Sequence, residues 1–124
     1  MYDVPNTVDT LYLGGGTPSI LNDEQFEIIN DIVNKFTFSK NYEFTIECNP
    51  EHITPDKLKW FKKLGVNRIS LGVQTFNDKL LRLLNRNHNK TMVIDAVNLL
   101  KKEGFTNISI DLMFAIPFQT MDMV

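Results

Sequence analysis

Four short stretches and one arginine carry the side chains able to grip a small polar ligand. Leu13-Gly14-Gly15-Gly16-Thr17-Pro18-Ser19 follows a β-like run. Consecutive glycines let a backbone approach a ligand closely and leave N–H and C=O groups free to bond its polar head, which singles out Gly15, Gly16 and Thr17. A tight turn before a helix would use the same glycines. Neither a following Lys-Ser or Lys-Thr nor a GxGxxG spacing marks a phosphate loop.

Glu47, in Thr45-Ile46-Glu47-Cys48-Asn49-Pro50-Glu51, stands at a strand end, where a carboxylate can accept hydrogen bonds from an ammonium or a ribose. It could equally be an ordinary carboxylate in water. Gln74 ends Ile69-Ser70-Leu71-Gly72-Val73-Gln74 in the corresponding place, with Gly72 leaving room nearby and a satisfied core glutamine as the alternative. Asp111 interrupts an apolar run between Ile110 and Leu112, an unusual place for a charge without a role. Arg86, in Leu83-Leu84-Asn85-Arg86-Asn87-His88, can clamp a carboxylate with two parallel N–H donors or simply be solvated. His52 and His88 have no carboxylate or cysteine at metal-ligand spacing and read as surface or loop residues. Cys48 reads as a small packed residue, since no histidine is placed by sequence to activate it. Lys57, Lys59, Lys62 and Lys63 are the wet face of a helix.

The elements that must position these residues follow from periodicity. Thr10 to Leu13, Tyr42 to Cys48, Arg68 to Gln74 and Ile108 to Ala115 are β-like, and helix-like stretches separate them, giving βαβαβαβ. A first helix starts at Asn22 with Gln25 completing a capping box, and Phe26, Ile29, Val33 and Phe36 form its stripe. A second starts at Thr54-Pro55, buries Leu58, Phe61 and Leu64, and ends at Gly65. Asn77 or Thr75 caps a short helix around Leu80 to Leu84, and Thr91 to Glu103, closed by Gly104, makes a longer one. Strand-helix-strand units of this length make sequential strands parallel neighbours.

Strand parity sharpens the picture. Phe44 and Ile46 oppose Glu43, Thr45 and Glu47; Ile69, Leu71 and Val73 oppose Ser70, Gly72 and Gln74; Ile108, Ile110, Leu112 and Phe114 oppose Ser109, Asp111 and Met113. One face is apolar and suits the helices. The polar face then meets solvent or the inside of a curved barrel holding a polar ligand. The barrel interior is favoured, because unpartnered burial of such groups costs about 1–3 kcal/mol for each neutral one and more for a carboxylate, and a bonded ligand removes that cost.

Composition narrows the classes. The 124 residues suit one small α/β domain, and the net charge of -2 offers no broad basic field for nucleic acid. Apolar runs are far shorter than a membrane span, and Met1-Tyr2-Asp3 opens no leader peptide, so a cytoplasmic protein is expected. A single cysteine excludes an internal disulfide and any all-cysteine metal site built by this chain alone.

Taken in order, Gly14 to Ser19, Thr45 to Glu51, Arg68 to Phe76 and Ile108-Ser-Ile-Asp-Leu-Met-Phe-Ala-Ile-Pro117 resemble the radical S-adenosylmethionine (SAM) group that contains oxygen-independent coproporphyrinogen III oxidase and the related haem chaperones. Ser19, Asn49-Pro50-Glu51 and Leu84 to His88 look more like the chaperone (HemW) branch. The resemblance implies a partial (β/α)6 TIM-like barrel, of which residues 1–124 would supply about four parallel βα units of an incomplete core domain. It also implies a role for each polar-face residue. Gly15, Gly16 and Thr17 would contact the methionyl part of SAM, Glu47 and Asp111 would accept from ammonium or ribose groups, Gln74 would bind nearby polar groups, and Arg86 would hold a carboxylate.

The group further implies a [4Fe-4S] cluster on three closely spaced cysteines, a tetrapyrrole such as haem or coproporphyrinogen, and a C-terminal domain. The three cysteines have no counterpart in this sequence, and the cluster segment and C-terminal domain are expected to lie outside it. Phe114-Ala115-Ile116-Pro117-Phe118 stands where the group usually has Tyr-Gly-Leu-Pro-Gly. Haem delivery, oxidative decarboxylation of coproporphyrinogen and an inactive remnant are the three readings the resemblance leaves. By itself the chain should not cleave SAM.

Overall fold

Four strands and four helices follow one another as the patterning requires. The computed structural model describes residues 7–124; Met1 to Asp3, read above as carrying no leader, lie outside them. The chain runs β1 (Thr7–Leu13), α1 (Asp23–Val33), β2 (Thr37–Cys48), α2 (Pro55–Leu64), β3 (Arg68–Gln74), α3 (Asp78–Leu83), α4 (Lys90–Lys102) and β4 (Ile108–Leu112). The strands form one sheet in the order β1-β2-β3-β4, every neighbouring pair parallel. The fold is α/β, a partial TIM-like barrel sheet.

The caps explain the helix ends. Asn22 Oδ1 accepts from Gln25 N–H at 2.9 Å while Gln25 Oε1 accepts from Asn22 N–H at 3.0 Å, the reciprocal pair the sequence predicts. Thr54 caps α2 with Pro55 at its first position. Gly65, at φ 90°, closes α2 with bonds from Gly65 N–H to Lys62 and from Val66 N–H to Phe61. Asn77, not Thr75, caps α3; Thr75 Oγ1 instead accepts from Asn77 N–H. The long helix starts at Lys90, with Asn89 as its cap, one residue before the expected start.

Phe26 and Val33 of α1, Leu58, Phe61 and Leu64 of α2, and Val93, Ala96 and Leu100 of α4 pack on Phe44, Ile46, Ile69, Leu71 and Val73 of the two central strands. Each large side chain buried this way stabilises the fold by about 1.5–3 kcal/mol. The apolar face is therefore the helix face.

Three expectations need correction. β2 begins at Thr37, five residues before the predicted Tyr42, because Thr7 and Val8 of β1 pair with Thr37 and Phe38 before a register shift. Phe36 lies beyond the end of α1. β4 stops at Leu112 instead of Ala115, since Ala115 takes a left-handed backbone, φ 58°, that no strand can continue. The outer half of β4's apolar face is also uncovered, with Ile110 at 41% and Leu112 at 44% exposure. None of the described helices is long and apolar enough to cross a membrane.

Candidate functional site

Parallel strands leave their C-terminal ends at one edge of the sheet, and the predicted polar residues gather there. Gly16, Thr17, Glu47, Gln74, Arg86 and Asp111 line one cavity of about 210 Å³ with Cys48, Asn49, Ser70 and Gly72. Gly15 joins them through its N–H, which donates to Glu47 Oε2 at 3.3 Å.

The glycine loop is shaped by two separate demands. Gly15 and Gly16 adopt φ of 85° and 97°, which L side chains resist. Gly14 has no such φ, but a Cβ there would lie 2.6 Å from Tyr12 Cε1 and 2.9 Å from Glu47 Cδ. Close approach of β1 to the Glu47 carboxylate thus requires glycine. Tyr12 OH donates to Glu47 Oε1 at 2.5 Å. That bond, followed by desolvation, raises the Tyr12 pKa above its ordinary value. Glu47 is thereby an anchored carboxylate whose remaining lone pairs face the cleft.

On β3 the register sets Ser70 beside Glu47 on one side and beside Ser109 on the other. Ser70 Oγ donates to Asp111 Oδ2 at 3.1 Å, which orients an otherwise exposed carboxylate on β4. One layer below, Arg68 donates to Thr45 Oγ1 at 3.2 Å and Ser109 Oγ at 3.0 Å, tying three strands together. Gly72 was expected to leave space for something bulky. It lines the cavity, and the side chains bordering that space are close: a Cβ there would meet Gln74 Nε2 at 3.3 Å, Arg86 Nη2 at 3.5 Å and Asn49 Oδ1 at 3.5 Å.

Gln74 adopts φ 69°, with Thr75 N–H donating to Val73 O at 2.9 Å across it. This three-residue turn is rare for a residue with a side chain and costs on the order of 1–3 kcal/mol. Arg86 is positioned by the end of α3. Asn85 takes the left-handed conformation at φ 59°, Asn85 N–H bonds to Arg82 and Arg86 N–H bonds to Leu81, so an asparagine does the work glycine does after α2. The guanidinium then runs back under β3, where Nη2 donates to Asn49 Oδ1 at 3.0 Å and to Gly72 O at 3.3 Å, and buried Nε has no partner. Arg86 is held in the site, half-buried, instead of being solvated.

The arrangement combines fixed acceptors from Glu47 and Asp111, one cation from Arg86, an amide from Gln74 and a pliable backbone at Gly15 and Gly16. Such a set suits a ligand bearing an ammonium, a carboxylate and hydroxyls. SAM has that chemistry, and among the described residues the buried Nε of Arg86 has no hydrogen-bond partner. An iron-sulfur cluster does not fit the residues present. Cys48 is the one cysteine, and burial, then the nearby Glu47 charge, pushes its thiol up to about 12, away from the thiolate a cluster needs. Among the described residues no group of His, Cys, Asp and Glu could hold a metal ion.

Sequence reasoning missed Tyr12, Ser70 and Arg68. Arg68 and Ser70 share the polar parity of Gln74, but which neighbours they touch, and the contact of Tyr12 with Glu47, depend on the cross-strand register. It also misplaced His88, which is 4% exposed and sits with Nδ1 3.5 Å from Glu51 Oε2, brought there by the fold across a long stretch of chain. His52 is partly buried, its Nδ1 2.9 Å from Ser19 Oγ.

Comparison with known proteins places the fold in a family. The sequence is 47% identical to the haem chaperone HemW of Lactococcus lactis over 93% of this chain and 31% of that protein. It is 43% identical to the Bacillus subtilis HemW over 90% of this chain and 30% of that protein. Oxygen-independent coproporphyrinogen III oxidase of Escherichia coli is 37% identical over 91% of this chain and 25% of that protein. The solved structure of the Escherichia coli coproporphyrinogen III oxidase HemN, described as a radical SAM enzyme, superposes with a TM-score of 0.84 at 36% identity, covering 94% of this chain and 27% of that one. The chain thus spans about 30% of the HemW relatives it matches. A family profile, the Radical SAM superfamily, matches residues 2–124, and the chain belongs to that superfamily.

Proposed function

We propose that the cleft binds SAM and that the protein carrying this chain is a haem chaperone. Gly15, Gly16 and Thr17 would take the methionyl part, Glu47 and Asp111 the ammonium and ribose hydroxyls, Gln74 the neighbouring polar groups and Arg86 the carboxylate. SAM held beside a reduced [4Fe-4S] cluster would supply radical chemistry, and these residues would hold the SAM. The cluster's ligands are not among this sequence's residues. What these side chains do is hold and orient: anchored carboxylates cost little further ordering when the ligand arrives, and each charge-assisted bond is worth about 1.5–3 kcal/mol.

One observation supports the chaperone reading above the oxidase. Residues that mark the chaperone branch gather in two neighbouring groups of contacts. Ser19 Oγ accepts from Asn49 N–H at 3.2 Å and meets His52 Nδ1, Asn49 Oδ1 accepts from Arg86, and Glu51 faces His88. Titrating haem into the full-length protein should shift the Soret band with saturation at a defined stoichiometry. No shift, together with conversion of coproporphyrinogen to protoporphyrinogen, would establish the oxidase reading in its place.

A further inference from the structure

His88, read from sequence as a surface residue, is buried with its two ring nitrogens aimed at two different acceptors. Nε2 lies 2.9 Å from Val73 O. A carbonyl only accepts, so Nε2 carries the proton of that bond. The same oxygen takes the Thr75 N–H at 2.9 Å and so closes the turn that holds Gln74 at φ 69°. Val73 itself is fully buried. On the other side of the ring, Nδ1 lies 3.5 Å from Glu51 Oε2, and among the described residues neither atom has a hydrogen-bond partner.

We propose that His88 is a positioning residue for ligand binding, acting through Gln74 and Arg86. Its N–H holds the carbonyl on which the Gln74 turn closes. Because His88 follows Arg86 by two residues, the same anchor fixes the segment that carries the guanidinium into the cleft. The chain thereby couples Gln74 at the end of β3 with Arg86 after α3, and Arg86 in turn donates to Asn49. This assignment rests on the reading of the cleft as a SAM site.

Two readouts on the full-length protein separate the assignment from that reading. His88→Phe fills the volume and removes the donor, whereas His88→Gln can return an N–H near the Nε2 position. SAM affinity should fall about 10-fold in His88→Phe, the loss of one buried hydrogen bond, and recover most of the way in His88→Gln. Amide exchange at Thr75, measured without ligand, should accelerate in His88→Phe and return toward wild type in His88→Gln. If His88→Phe does not fold, His88→Met, which also fills volume without supplying a donor, is read in the same two assays and should move both in the same direction. Wild-type affinity together with wild-type Thr75 exchange in the folded variants overturns the assignment. Failure of the wild-type protein to bind SAM overturns the reading of the cleft, and Thr75 exchange then decides the role of His88 alone.

Discussion

Gln74 is the residue at which backbone strain and ligand chemistry meet. Its left-handed φ of 69° is one that glycine adopts freely. Gln74→Gly should therefore stabilise the fold by about 1 kcal/mol, read as a rise of about 3–5 °C in melting temperature. The same substitution should weaken SAM binding by removing the amide. Unchanged stability would mean the turn is not strained. Cys48 gives a second residue-scale prediction. Its thiol, held up near 12 by burial and by Glu47, should not react with a disulfide reagent at pH 8 until the protein is unfolded. Rapid native-state labelling would contradict that.

The residues found from sequence and those missed differ in what fixes them. Glu47 and Asp111 were legible because alternation along a strand depends on the strand alone. Tyr12 and Ser70 needed the cross-strand register, which sets which polar-face neighbours touch. His88 needed tertiary proximity to Glu51, and no local pattern contains that.

At the scale of elements, the helices were legible because each carries its own stop and start chemistry. Asn22 with Gln25, Thr54 with Pro55, and Gly65 each satisfy backbone groups that the helix leaves open. Strand limits were less legible, since β2 extends to Thr37 only because β1 is there to pair with it. The segment after β4 shows why glycine is usual in this group. Ala115 and Phe118 stand at φ 58° and 65°, both left-handed, where the usual motif has glycines. Ala115→Gly and Phe118→Gly should each stabilise by about 0.5–1 kcal/mol, measured from denaturation midpoints. A loss of stability would show that the native side chains pack usefully there. In the opposite sense, Gly14→Ala should destabilise the fold and displace Tyr12 from Glu47, because its Cβ cannot fit 2.6 Å from the tyrosine ring.

At the scale of the whole molecule, the sheet is closed at its centre and open beyond β4. Ile110, Leu112, Phe114, Phe118 and Met121 are all exposed around that edge, with Phe118 at 86%. An uncovered strand with apolar neighbours invites pairing with another chain. The 124-residue chain expressed alone should therefore self-associate on light scattering and bind a hydrophobic dye, more so than the full-length protein. A monodisperse monomer that excludes the dye would contradict this. The polar face of the same sheet was expected from parity, and its cleft at the strand C-termini is where a parallel α/β sheet places a ligand.

The most direct measurement is equilibrium dialysis of labelled SAM against the full-length protein and its Asp111→Asn variant. Asp111 is exposed and, among the described residues, its side chain is bonded only through Ser70, so its amide should leave the fold intact. Saturable binding by the wild type and about 10-fold or greater weakening in Asp111→Asn is the predicted result. No saturable binding, or equal affinity in both proteins, would contradict the assignment of this cleft to SAM.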